Sequence, residues 1–181
     1  GELPLGYDHK YVYSHFGYNL KATDLQAAIG CAQLKKFPEF VKRRRRNFER
    51  LREGLQGTED VLILPEPCPG SEPSWFGFLI TCREGVDRNR LVQYVESHGI
   101  QTRMLFAGNL TKHPCFDEMR AAKREAEKNG RKDGQAGYRI IGDLPVTDRI
   151  MRDTFWVGVY PGMTDEMMDY MAETIREGIR S

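Results

Sequence analysis

Two short stretches combine residue types suited to holding a ligand. In the first, "GYNLK" over residues 17–21, Asn19 and Lys21 stand just ahead of a helix start marked by Thr23 and Gln26, a T-x-x-Q capping box. Free backbone N–H groups and the helix dipole at such a place favour an anion, with phosphate the natural guess. The same residues also suit a plainer role, an Asx-type turn beside a solvated lysine. In the second stretch Arg103 ends an alternating segment and "FAGN", residues 106–109, follows at once. A strand end followed by a glycine-containing loop commonly presents side chains to a ligand. Arg103 there could grip phosphate or carboxylate bidentately, and Asn109 could bond a sugar hydroxyl. A surface arginine and a turn asparagine are the competing description.

Other reactive residue types are less well placed. His9, His15, His98 and His113 have the right basicity for proton transfer but sit in no nucleophile or metal motif. His98 precedes a helix-closing glycine and reads as structural, whereas His9 and His15 flank "KYVYS" and suit a pocket wall. Cys31, Cys68, Cys82 and Cys115 lie far apart with no short ligand spacing, so they read as reduced, mostly buried thiols, and no metal site is expected. Around the run "KRRRRN", residues 42–47, Phe40, Val41 and Phe48 keep the helical apolar stripe intact, and glutamates follow. The run reads as a solvated helix face rather than a nucleic-acid patch.

Composition narrows the class. With 181 residues, 40% hydrophobic and 29% charged, and a formal net charge of +1, the chain has the makings of a globular core and no global field for nucleic acid. No apolar run is long enough to span a bilayer, and "GELPLGYDHKY" shows no secretory pattern, so neither nucleic acid nor membrane is an expected partner and the reading is cytoplasmic.

The elements that must position these residues follow from periodicity. A helix from Thr23 carries Leu25, Ala28, Ile29 and Ala32 on one stripe and is expected to end near Phe37. Pro38 then suits the first turn of a second helix reaching Gly57, and the pair makes a long, kinked arm. "VLIL" at 61–64 and "WFGFLITC" at 75–82 read as strands, the latter covered on both faces. A helix from about Asp87 to His98, closed by Gly99, leads to the strand "IQTRMLF", with Ile100, Thr102, Met104 and Phe106 on one face. Residues 117–137 are polar and read as an exposed insertion. A short helix, a strand around Phe155–Val159, a Pro-Gly turn and a final amphipathic helix complete the chain. The expected fold is α+β, a long kinked helical arm followed by a small three- to four-stranded, mainly antiparallel sheet covered by helices. Residues 1–57 form the loop and arm, and 58–181 the small domain with its insertion at 117–137.

Taken together, "GYDHKYVYSHFGYNLKATDLQAAIGCAQL", "PSWFGFLIT", "GIQTRMLFAGNL" and "TDRIMRDTFWVGVYPGMT" resemble the C-terminal half of sugar-nucleotide enzymes of the DegT family. These are fold-type I, vitamin-B6-dependent enzymes, and "YDHKY", "LFAGN" and "FWVGVYPG" are most similar to their CDP-4-keto-6-deoxyglucose 3-dehydratase branch. The resemblance implies that Asn19 contacts the cofactor phosphate of a neighbouring active site across a homodimer interface. Lys21, Arg103, Phe106 and Asn109 would then face the sugar nucleotide.

It also implies what lies elsewhere. Catalytic residues are expected upstream and none in this chain, whether a lysine, as in aminotransferases, or a histidine that leaves pyridoxamine phosphate unattached. A [2Fe–2S] cluster in the parent would be held by upstream cysteines, with none from this chain. The expected whole is a pyridoxamine- or pyridoxal-phosphate enzyme of deoxysugar and lipopolysaccharide O-antigen synthesis, served by a separate reductase, and the fragment alone is expected to be inactive. An aminotransferase of the same family and a non-catalytic dimerisation domain are the competing readings.

Overall fold

The computed structural model describes residues 17–18, 20–130 and 139–181. The chain divides into two units, Gly1–Pro38 and Glu39–Ser181. At the start of helix α1 (Asp24–Gly54) the capping box is formed as expected. The Thr23 N–H donates to Gln26 Oε1 at 2.9 Å, and the Gln26 N–H donates to Thr23 Oγ1 at 3.3 Å. Pro38 does not begin a second helix; it lies inside α1. A proline removes one hydrogen bond, here to the Leu34 carbonyl, and the helix formers Lys35, Lys36 and Glu39 on either side sustain the rest.

The second unit is built on a sheet of four strands, β1 (Leu62–Ile63), β2 (Gly77–Cys82), β3 (Thr102–Met104) and β4 (Thr154–Gly158). Their order is β1-β2-β4-β3 and every neighbouring pair is antiparallel. Strands β2 and β3 therefore run the same way with β4 between them, and helix α2 (Arg88–Ser97) makes the crossover. Asp87 caps α2, its carboxylate accepting from the Asn89 and Arg90 N–H groups, and Gly99, at φ +79°, turns the chain out of the helix.

Register gives the sheet two unlike faces. Leu62, Phe78, Ile80, Cys82, Phe155 and Val157 share one face and are 1% exposed or less. They pack with Phe48, Leu51 and Leu55 of α1, Leu91 and Val95 of α2, and Met168 and Ile175 of helix α5 (Asp165–Arg180) in one core. The other face carries Leu79, Trp156 and Arg103 in one cross-strand row. Leu79 and Trp156 are only half-buried, so the apolar run at 75–82 is covered on one face and partly open on the other. The alternation expected through Phe106 stops at Met104, where the Phe106 N–H donates back to the Met104 carbonyl at 2.7 Å and turns the chain.

The arginine run is more than a solvated face. Arg45 donates to the Pro73 carbonyl at 3.0 Å and pairs with Glu72 at 3.2 Å, tying down the connector before β2. Arg46 pairs with Asp165 at 2.5 Å and Arg50 with Asp169 at 2.7 Å, both at the start of α5. Helix α3 (Asp117–Lys128) occupies the first part of the polar insertion and buries none of its residues. Helix α4 (Pro145–Asp153) leads into β4. Among the described residues no helix is long and apolar enough to cross a membrane.

Candidate functional site

The open face of the sheet and the loop leaving β3 form the site. Arg103 stands directly across from Trp156, which stands across from Leu79. The Trp156 indole N–H donates to the Met104 carbonyl at 3.1 Å, fixing its ring, and Phe76 meets that ring edge-on at 5.4 Å between centroids. Phe76, Leu79, Leu105, Phe106 and Trp156 line an open, apolar hollow of about 160 Å³. Arg103 donates Nη1 to the Thr102 carbonyl at 2.9 Å.

Phe106 is 73% exposed and has φ +47°, the left-handed region that β-carbon crowding disfavours. Such strain persists where neighbouring contacts over-determine the backbone. Two residues on, Gly108 at φ +56° lies so close to α4 that an added Cβ would sit 2.6 Å from Met151 Cγ. Asn109 then turns inward. Its Oδ1 accepts from the Thr111 N–H at 3.2 Å and the Thr111 hydroxyl at 2.7 Å, and its Nδ2 donates to Asp148 Oδ1 at 2.6 Å. Lys112 reaches the other carboxylate oxygen of Asp148 at 2.7 Å. The Lys112 ammonium first, and then the Asn109 amide, hold the Asp148 carboxyl below its usual range. His113 Nε2 lies 2.6 Å from the Ala107 carbonyl and so carries the proton of that bond, and Arg120 donates to the Thr111 and His113 carbonyls.

The expected site residues thus fall into three groups. Arg103 and Phe106 are both brought to Trp156, one by strand register and one by the loop that lines the hollow. Asn109 is 3% exposed and its side chain is spent on Thr111 and Asp148, so it holds the loop instead of presenting itself to a ligand. Lys21 is exposed in the loop before α1, while Asn19, His9 and His15 lie outside the described residues. Sequence reasoning missed Asp148 and Trp156. Asp148 resembles any acid favouring a helix N-terminus, and its partner is 39 residues away. Trp156 was hidden inside an apolar run that reads as core.

Of the remaining candidates, His98 is exposed, stacked on Tyr94 at 4.2 Å with Nδ1 2.8 Å from the Tyr94 carbonyl, a structural role as expected. The cysteines depart from expectation, for only Cys82 is buried; Cys31, Cys68 and Cys115 are exposed. They fall on the exposed first half of α1, a connector and a short turn, none of which contributes side chains to the core. Burial pushes the Cys82 thiol up to about 11, which makes it inert. No group of three or more potential metal ligands occurs among the described residues. A larger open cleft, about 730 Å³, lies at the start of α2. Its charged groups are largely engaged within the fold: Arg88 donates to the Arg152 and Met151 carbonyls, Arg152 pairs with Asp153, and Asp87 caps the helix.

Known structures define the class. The chain matches GDP-4-keto-6-deoxymannose-3-dehydratase with bound GDP-perosamine at a TM-score of 0.70 and 25% identity, over 91% of this chain and 38% of that one. It matches a Brucella abortus aminotransferase at a TM-score of 0.70 and 19% identity, over 100% of this chain and 40% of that one. The fold is that of the C-terminal domain of fold-type I vitamin-B6 enzymes.

Residues 4–176 match the DegT/DnrJ/EryC1/StrS aminotransferase family, and the chain belongs to it. It is 49% identical to the lipopolysaccharide biosynthesis protein RfbH of Salmonella typhimurium over 98% of this chain and 37% of that protein. It is 50% identical to dTDP-4-dehydro-2,6-dideoxy-D-glucose 3-dehydratase of Saccharopolyspora spinosa over 98% of this chain and 35% of that enzyme. The chain therefore spans little more than a third of the length of these relatives.

Proposed function

We infer that this chain is the C-terminal part of a pyridoxamine-phosphate-dependent 3-dehydratase acting on a nucleoside-diphosphate 4-keto-6-deoxyhexose, in deoxysugar and lipopolysaccharide O-antigen synthesis. What carries the reading is the identity of 50% with a named sugar-nucleotide 3-dehydratase across 98% of the chain. The open sheet face supports it, since an arginine opposite Trp156 in the cross-strand row, together with the aromatic hollow that Trp156 lines, suits a diphosphate attached to an apolar-faced sugar or base. The "LFAGN" and "FWVGVYPG" segments favour CDP as the nucleotide.

When bound, the pyridine ring of the cofactor acts as an electron sink for loss of the C3 hydroxyl. By the family resemblance, the bond-breaking steps are assigned to residues outside this chain. Within this chain, Arg103 holds the diphosphate and Phe106 with Trp156 forms an apolar wall that orients the sugar and excludes water. Asn109 keeps the loop in place. Asn19 reaches the cofactor phosphate and Lys21 the sugar nucleotide of a neighbouring subunit, residues 1–57 serving as the arm of a cytoplasmic homodimer and 58–181 as its small domain. A separate reductase supplies electrons after dehydration, and a [2Fe–2S] cluster, where present, is held by cysteines outside this chain.

The test is to incubate the full-length gene product, loaded with pyridoxamine phosphate, with CDP-, dTDP- and GDP-4-keto-6-deoxyhexoses and follow the mass of the sugar. Loss of one water supports the reading. Replacement of the keto oxygen by an amine when glutamate is supplied supports the second reading, an aminotransferase, which membership of the DegT/DnrJ/EryC1/StrS aminotransferase family favours. The isolated 181-residue chain is expected to turn over none of the three.

A further inference from the structure

Asp148 stands outside the hollow, yet α4 grips the loop behind Phe106 through it. One carboxylate oxygen accepts from Asn109 Nδ2 at 2.6 Å and the other takes the Lys112 ammonium at 2.7 Å, so a single side chain holds both ends of the turn 109–112. The turn is closed on itself by Asn109 Oδ1 with the Thr111 hydroxyl and by His113 Nε2 with the Ala107 carbonyl. Gly108, pressed against Met151, brings the same loop onto α4 at a second point.

The consequence is felt at Phe106. Its left-handed backbone is disfavoured, and with 73% of the residue exposed the ring recovers little by packing. A loop free to relax would move φ to a negative value and swing the ring away from Trp156. We propose that Asp148 is a positioning residue of the sugar-nucleotide site, acting through Asn109 and Lys112 to hold Phe106 beside Trp156. This rests on the reading of that hollow as the sugar-nucleotide wall.

The test uses the full-length enzyme, with binding of CDP-, dTDP- and GDP-linked 6-deoxyhexoses and hydrogen exchange of the loop amides measured on the same variants. Asp148→Ala weakens binding of the preferred sugar nucleotide about tenfold, leaves cofactor absorbance unchanged, and speeds exchange at the Gly108 and Thr111 amides. Lys112→Met, an exposed change that leaves Asn109 paired, weakens binding about threefold and keeps the test decisive if Asp148→Ala does not fold. In the exchange Asn109→Asp with Asp148→Asn, the bond between the two residues is rebuilt with donor and acceptor reversed, and binding returns toward the parent value.

Faster loop exchange with unchanged binding in either single variant makes Asp148 a stabiliser alone and overturns the proposal, leaving the activity reading intact. A parent enzyme that binds none of the three sugar nucleotides overturns both.

Discussion

Asn47, in the middle of the arginine run, is 2% exposed and donates its Nδ2 to the carbonyls of Tyr160 at 3.0 Å and Met163 at 3.3 Å. It binds α1 to the Pro-Gly turn between β4 and α5, where no repeating ladder satisfies those carbonyls. Asn47→Ala is expected to lower unfolding stability by about 1–3 kcal/mol, the cost of stranding buried polar groups. Asn47→Asp costs more, because a carboxylate would face two carbonyl oxygens. Urea midpoints of the two variants check both statements, and a midpoint unchanged in Asn47→Ala would sink them.

Phe106 separates strain from function. Phe106→Gly relieves the left-handed backbone but frees the unfolded chain, so the two effects offset and stability shifts by less than about 1 kcal/mol. Under the proposed function the same change weakens sugar-nucleotide binding, since the ring is lost. Gly108→Ala behaves oppositely. Its Cβ meets Met151 at 2.6 Å in a backbone that favours glycine, and destabilisation of roughly 1–3 kcal/mol is expected. Thermal melts of the pair distinguish the two positions.

The Lys112–Asp148–Asn109 cluster makes a pH prediction. The folded Asp148 carboxyl lies below its ordinary value, so the unfolded chain takes up its proton first as pH falls. The stabilisation is fully present above the unfolded value near about 4 and is lost as pH drops through the folded one. Asp148→Asn removes that contribution. Melting temperatures of parent and variant should converge as pH falls from neutrality to about 3, and a constant gap would exclude the linkage.

Thiol chemistry gives a fourth check. Cys82 is buried and its thiol is pushed up to about 11, whereas Cys31, Cys68 and Cys115 are exposed. A disulfide reagent at mildly alkaline pH should label three thiols of the folded chain rapidly and the fourth on unfolding. Prompt labelling of all four would place Cys82 outside the core.

Local physics made much of this protein legible in its sequence. The capping box at Thr23, the Asp87 cap, the Gly99 stop and the apolar stripe of α5 depend on neighbours three or four residues away, and each lies where periodicity puts it. The long motifs around "LFAGN" and "FWVGVYPG" likewise led to the family, because a family is a pattern of residues along the chain. Pro38 misled, since its preference for a first turn is weak against helix formers on both sides.

Tertiary structure decided what depends on distant partners. Arg46 meets Asp165 across 119 residues and Asn109 meets Asp148 across 39, separations at which no local preference operates. Only strand register could place Arg103 opposite Trp156, and only the folded loop leaves Phe106 at a positive φ and exposed while Asn109 turns inward onto Asp148 of α4. Sequence alone determined the elements and the kinship, because both are written in near neighbours and order; the working face was settled by packing, because a side chain's role follows from what the fold brings against it.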